Sequence, residues 1–120
     1  SDYNDFVRMA VDIAHYHHEN WDGSGYPEGL AGEAIPLAAQ IVSIVQAYCA
    51  LTDKKHYSRE EAFRILEGEA GIKFNPDIFQ ICRKISRQLC RGGRTDIDSL
   101  TYSNIMLHIR QYSALCSIRI

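Results

Sequence analysis

A chain of 120 residues, 46% hydrophobic and 23% charged, has the size and balance of one folded domain and not of a disordered segment. Its formal net charge is −2 and it has no basic patch, which argues against a nucleic-acid binder; the arginine-bearing run "CRGGR" at 90–94 reads first as a loop. No run approaches the roughly 20 apolar residues that cross a bilayer, since the longest, 35–51, is broken by Gln40, Ser43 and Gln46.

The start, "SDYNDF", lacks the basic flank and apolar stretch of a secretory signal. The cysteines (Cys49, Cys82, Cys90, Cys116) show no CxxC spacing, so they read as structural thiols in a reducing cytoplasm, ahead of disulfides.

In chain order, the first element is a helix over Asn4 to Glu19, with Phe6, Met9, Ala10, Ile13, Ala14 and His17 recurring along one face. "DGSGYPEGLAGEAIP" (22–36) carries four glycines and two prolines and reads as an irregular loop. Pro36 opens a second helix to about Thr52. It is apolar around most of its circumference and is therefore expected at the centre of the core. Ser58 to Glu61 fits a capping box, opening a third helix that runs to about Glu67 and stops at "GEAG". Asn75-Pro76 repeats the start signal for a fourth, expected to bury Ile78, Phe79, Cys82, Ile85 and Leu89. After a loop, "RGGRTD", the remainder predicts a helix to around Tyr112. The fold class is all-α, about five helices with a glycine-rich loop after the first.

The chemistry concentrates in "HYHHENWDGSGYP" (15–27). On a continuing helix, successive residues lie about 100° apart, so His17 and His18 would diverge while His15 and His18 share a face. Imidazole is the commonest ligand for zinc, manganese or iron, but adjacent histidines read alone point first to a helix-end cap or a solvated face, with the ligand reading second. Gly23 and Gly25 permit backbone angles needed in a tight turn, or let backbone amides approach a phosphate. Trp21 is a lid on the core or a base-stacking surface. Tyr26-Pro27 is a partner-recognition edge or a ring packed over the turn. Glu19 and Asp22 either orient the histidines or solvate the helix end, and His56 reads as a surface residue.

His17-His18-Glu19, the run Asp22 to Pro27, Gly29, Gly32 and Ile35-Pro36 together resemble the second half of an HD-GYP domain. Ala39 to Val42, Tyr48, Ala50-Leu51-Thr52, "EEAFRIL" and "GIKFNPDIF" extend the resemblance over roughly 9–82. It implies a bacterial, cytoplasmic, HD-like domain over 1–90 that lacks the N-terminal helices; 91–120, which the resemblance does not reach, is expected to be an extension of unknown role packed on the same domain. It also implies that His17 and His18 fall on metal-ligand positions, with iron or manganese as the metal. Asp22, Gly23, Gly25, Tyr26 and Pro27 would form the ligand or partner loop, with cyclic di-GMP and diguanylate cyclase (GGDEF) domains as the molecules met. In such enzymes the metals polarise the phosphate and generate the attacking hydroxide.

Three departures bear on activity. The family's His-Asp pair and lysine belong to an N-terminal half not seen in this chain. In "VQAYCAL" Gln46 stands where an aspartate ligand is expected, and Cys49 replaces a second aspartate; Cys49 reads as a buried thiol, with a soft-metal ligand such as for zinc as the alternative. "KHYSR" (55–59) replaces a substrate-positioning segment.

The expectation is a degenerate, non-catalytic signalling module with no catalytic residue. The competing one is a fragment of an active metal-dependent phosphodiesterase whose His-Asp pair lies upstream or in another chain. A third is an interaction domain without nucleotide recognition. Phe6, Ile13, Ile41 and Val45 are expected to leave an apolar face that a homodimer, or residues 95–120, would cover.

Overall fold

The computed structural model describes residues 2–91, with side chains from 3 to 87. The expected loop "RGGRTD" beyond Arg91, the helix to Tyr112 and Cys116 lie outside the described residues, as do the side chains of Leu89 and Cys90. The architecture is all-α: α1 (Asp2–Tyr16), α2 (Leu37–Cys49), α3 (Arg59–Glu67) and α4 (Pro76–Arg91), with a 3-10 turn at Gly32–Ala34 and a π turn at Ala50–Lys54. Among the described residues there is no strand, only isolated bridges between Asp22 and Ala31 and between Ala70 and Phe74.

The helix starts follow from their side chains. Ser58 Oγ accepts the N–H of Glu61 at 3.2 Å, which opens α3. Asn75 Oδ1 accepts from the N–H groups of Asp77 (3.0 Å) and Ile78 (3.5 Å), which opens α4. Each side chain satisfies amides that the first helical turn leaves without a partner. At the other end of α2 the Thr52 hydroxyl donates to Tyr48 O at 3.1 Å, competing for a helical carbonyl. The chain there widens into the π turn instead of running on as α-helix to Thr52.

α2 is the shared element, as its composition predicts: α1, α3 and α4 all pack on it. The core is Ile44, Phe63, Leu66, Phe74 and Phe79, edged by Tyr48, Leu51, Ile78 and Cys82. Tyr48 and Phe79 flank Phe63 at ring-centroid distances of 5.0 and 6.2 Å, the spacing at which aromatic pairs attract.

Coverage is incomplete on two faces. Ile85, expected in the core, is exposed together with Ile81. At about 100° per residue these two sit about 240° and 200° round α4 from Phe79, on the side turned away from α2. Leu37 and Ile41 on α2 are exposed, as are Tyr3, Phe6 and Met9 on α1.

Candidate functional site at the end of the first helix

α1 ends at Tyr16, three residues earlier than its periodicity predicts. His17 N–H still reaches Ile13 O (3.1 Å), but Glu19 N–H turns back to Tyr16 O (3.0 Å), and Tyr26 N–H comes across to His18 O (3.3 Å). The glycine loop thus supplies a donor to the carbonyl of His18, two residues past the last helical residue.

The early stop changes where the histidines point. His17 and His18, divergent on an unbroken helix, have ring centroids 4.2 Å apart at 38°. His17 is buried, at 2% exposure. Its Nδ1 lies 2.7 Å from Ile13 O, and because a carbonyl only accepts, Nδ1 carries the proton. In the neutral ring this leaves the lone pair on Nε2, the arrangement of a ligating imidazole tied back through its other nitrogen. His18 stacks against Tyr26, centroids 4.9 Å apart and planes at 17°. His15 does not join them: its ring meets Tyr16 edge-on, and its Nε2 lies 3.3 Å from Glu28 Oε1.

Glu19 is the residue that sequence reasoning misjudged. It neither solvates the helix end nor contacts a histidine ring through any described bond. It is buried, at 3% exposure, and its carboxylate accepts three successive backbone N–H groups: Glu28 (3.2 Å) and Leu30 (3.1 Å) on Oε2, and Gly29 (2.9 Å) on Oε1. Successive amides turned to one side form an anion-binding hollow, and the protein's own carboxylate fills it. Gly23 N–H donates to Asn20 O, and Ser24 N–H to Asp22 Oδ1 at 2.9 Å. Loop amides that a phosphate would need are therefore engaged within the chain, against the phosphate-cradle reading. Asp22 shapes its own turn, and the hydrogen bonds from Ser24, side chain first and backbone second, hold its carboxyl below the ordinary 3.8.

The two glycines of the turn are required for different reasons. Gly23 has φ +86°, a left-handed angle that favours glycine. At Gly25 the constraint is space: a Cβ would sit 2.5 Å from both Asn20 N and His18 O. The Tyr26-Pro27 peptide is cis. Tyr26 itself is exposed beside His18.

Two further contacts fix the loop to the domain. Trp21 N–H donates to Lys73 O (3.1 Å) and Asp22 N–H to Ile72 O (2.9 Å), so the segment between α3 and α4 clamps the loop's start. Half-buried Trp21 borders a shallow cleft with Glu19, Ile35, Gln40 and Asn75, consistent with a lid on the core. Gln40, which reads in sequence as an interruption of an apolar run, is buried: its Nε2 donates to Ile35 O (2.8 Å) and its Oε1 accepts from Asn75 Nδ2 (3.1 Å). One side chain thereby joins the loop's exit to the start of α4. The signal was a polar residue inside an apolar helix, which implies a buried partner.

On α2, Gln46 is half-buried, and burial pushes the Cys49 thiol up to about 11, with Asp53 adding to the effect. Cys49 and Cys82 are free thiols. Among the described residues no three His, Cys, Asp or Glu side chains gather as a metal centre would need. His56 is exposed, at φ 59°.

The sequence profile of the HD domain family matches residues 5–78. A cyclic di-GMP phosphodiesterase of Thermotoga maritima is 32% identical over 102 residues, covering 82% of this chain and 28% of the relative. A cyclic di-GMP phosphodiesterase response regulator of Xanthomonas campestris is 36% identical over 105 residues, covering 75% and 28%. Among solved structures, a cyclic GMP-AMP specific phosphodiesterase of Vibrio cholerae superimposes with a TM-score of 0.60 at 28% identity, over 82% of this chain and 26% of that one. The chain thus spans little more than a quarter of the length of these relatives.

Proposed function

This chain belongs to the HD domain family, on its HD-GYP branch, and from that membership we propose that it is a non-catalytic module of cyclic di-GMP signalling that acts by binding a protein partner. The partner surface is the loop of Asp22, Gly23, Gly25, Tyr26 and Pro27, and the partner is the GGDEF domain of a diguanylate cyclase. The observation that carries this reading is an exposed Tyr26 on a loop whose amides are held from inside by buried Glu19. A rigid aromatic at low entropic cost is what a protein interface uses as an anchor, whereas a phosphate-binding loop leaves its amides open.

His17 and His18 are the positions from which a metal would be contacted, iron or manganese by the HD-GYP resemblance, and a two-imidazole contact is weak. Gln46 in place of a carboxylate removes charge that would hold such a metal. The cytoplasm is the compartment proposed. No helix among the described residues is long and apolar enough to cross a membrane. We also infer a homodimer, on the specific observation that Tyr3 and Phe6 are 75% and 71% exposed.

The test is calorimetric titration of this chain with GGDEF domains, for the wild type and Tyr26→Ala. Saturable binding that Tyr26→Ala weakens at least about tenfold, a loss of about 1.4 kcal/mol, is expected. Binding indifferent to Tyr26, or absent while cyclic di-GMP binds, would overturn the partner reading.

A further inference from the structure

We propose that Glu19 is the positioning residue of the His17–His18 turn: its carboxylate fixes the 28–30 segment and, through it, the placement of Tyr26 over His18. Three observations carry this. Glu19 is buried, yet none of its described hydrogen bonds is to a side chain; all three go to consecutive backbone amides of the loop. Those amides begin two residues after Tyr26, whose own N–H binds His18 O, so the loop is held on both sides of the stacked ring. Gly25, just before Tyr26, packs against the turn so closely that a Cβ there would sit 2.5 Å from Asn20 N and His18 O.

Charge matters here as well as shape. A carboxylate offers acceptors on both oxygens, and hydrogen bonds to an ionised acceptor are the strong kind. A glutamine has one acceptor oxygen for three donors, and its amide N–H₂ would face at least one backbone N–H. Glu19→Gln therefore keeps the size and loses the grip. The consequence for partner binding rests on the reading of the loop as the partner surface; the placement of Tyr26 does not.

The experiment is NMR on the whole chain, wild type and Glu19→Gln, reading two quantities. One is the ring-to-ring Overhauser contact between Tyr26 and His18. The other is amide exchange at Gly29 and Leu30 compared with core amides of Phe63 and Phe79. In the wild type the contact and protection at both loop amides are expected. In Glu19→Gln the contact should disappear and the loop amides should exchange roughly tenfold faster or more, with the core amides unchanged.

A retained Tyr26–His18 contact in a folded variant would overturn the proposal. So would wild-type Gly29 and Leu30 amides exchanging as an open loop does, a result that needs no variant to fold. Loss of the contact with partner binding intact would support the positioning role and count against the partner reading, so the two fail separately.

Discussion

At Gly25 a single methyl group decides whether the loop can close, because its Cβ would meet backbone atoms that have no rotamer to escape into. Gly25→Ala should destabilise the domain by about 1–3 kcal/mol, the usual cost of overpacking, measured by urea unfolding; an unchanged midpoint would contradict the close approach. Cys49 gives a prediction in pH. Its ordinary value is 9.0 and the folded value about 11, so the unfolded chain releases this proton first. The stabilising contribution is complete below about pH 9 and declines as pH rises through 9–11. Cys49→Ala should flatten that decline in stability, and iodoacetamide should label native Cys49 slowly at pH 8 compared with the unfolded chain. At this scale the sequence was only partly readable. Its pattern marks Gly25 and Glu19 as special, but the reasons are a contact with residues 18–20 and a grip on residues 28–30. Such tertiary relations leave no periodicity.

Elements were the most legible level, because caps and stripes are local. Ser58 and Asn75 act as the caps their positions announce, and α3 ends at Glu67 as expected. α1 departs from expectation where Glu19 N–H turns back to Tyr16 O, and α2 where the Thr52 hydroxyl takes Tyr48 O. Ser58→Ala should cost about 1 kcal/mol, the loss of one exposed cap. Asn75→Ala should cost more, about 2–3 kcal/mol, because it removes a cap and also leaves buried Gln40 short of a donor. Gln40→Ala and Asn75→Ala together should cost less than their sum, since each orphans the other. Strict additivity in denaturant midpoints would break the link drawn between the loop's exit and α4.

For the whole molecule, the core around Phe79 is small, so truncating it is severe. Phe79→Ala should cost about 3–5 kcal/mol and leave little folded chain at 37 °C. Outside that core, the apolar ends of α1 and α2 stay exposed at Tyr3, Phe6, Leu37 and Ile41. Sedimentation at micromolar concentration should find a dimer that Phe6→Glu dissociates, and a monomeric wild type would refute it. The chain has the all-α fold of the HD domain family, and Gln46 stands where the resemblance leads one to expect a metal carboxylate; the proposal separates that fold from catalysis.

The direct test of that separation is incubation of the chain with cyclic di-GMP and iron(II) or manganese(II), with the nucleotide resolved by chromatography. The account predicts intact cyclic dinucleotide after hours at equimolar chain. Linear dinucleotide or GMP beyond one turnover per chain, abolished by His17→Ala, would contradict it and make this chain a working hydrolase.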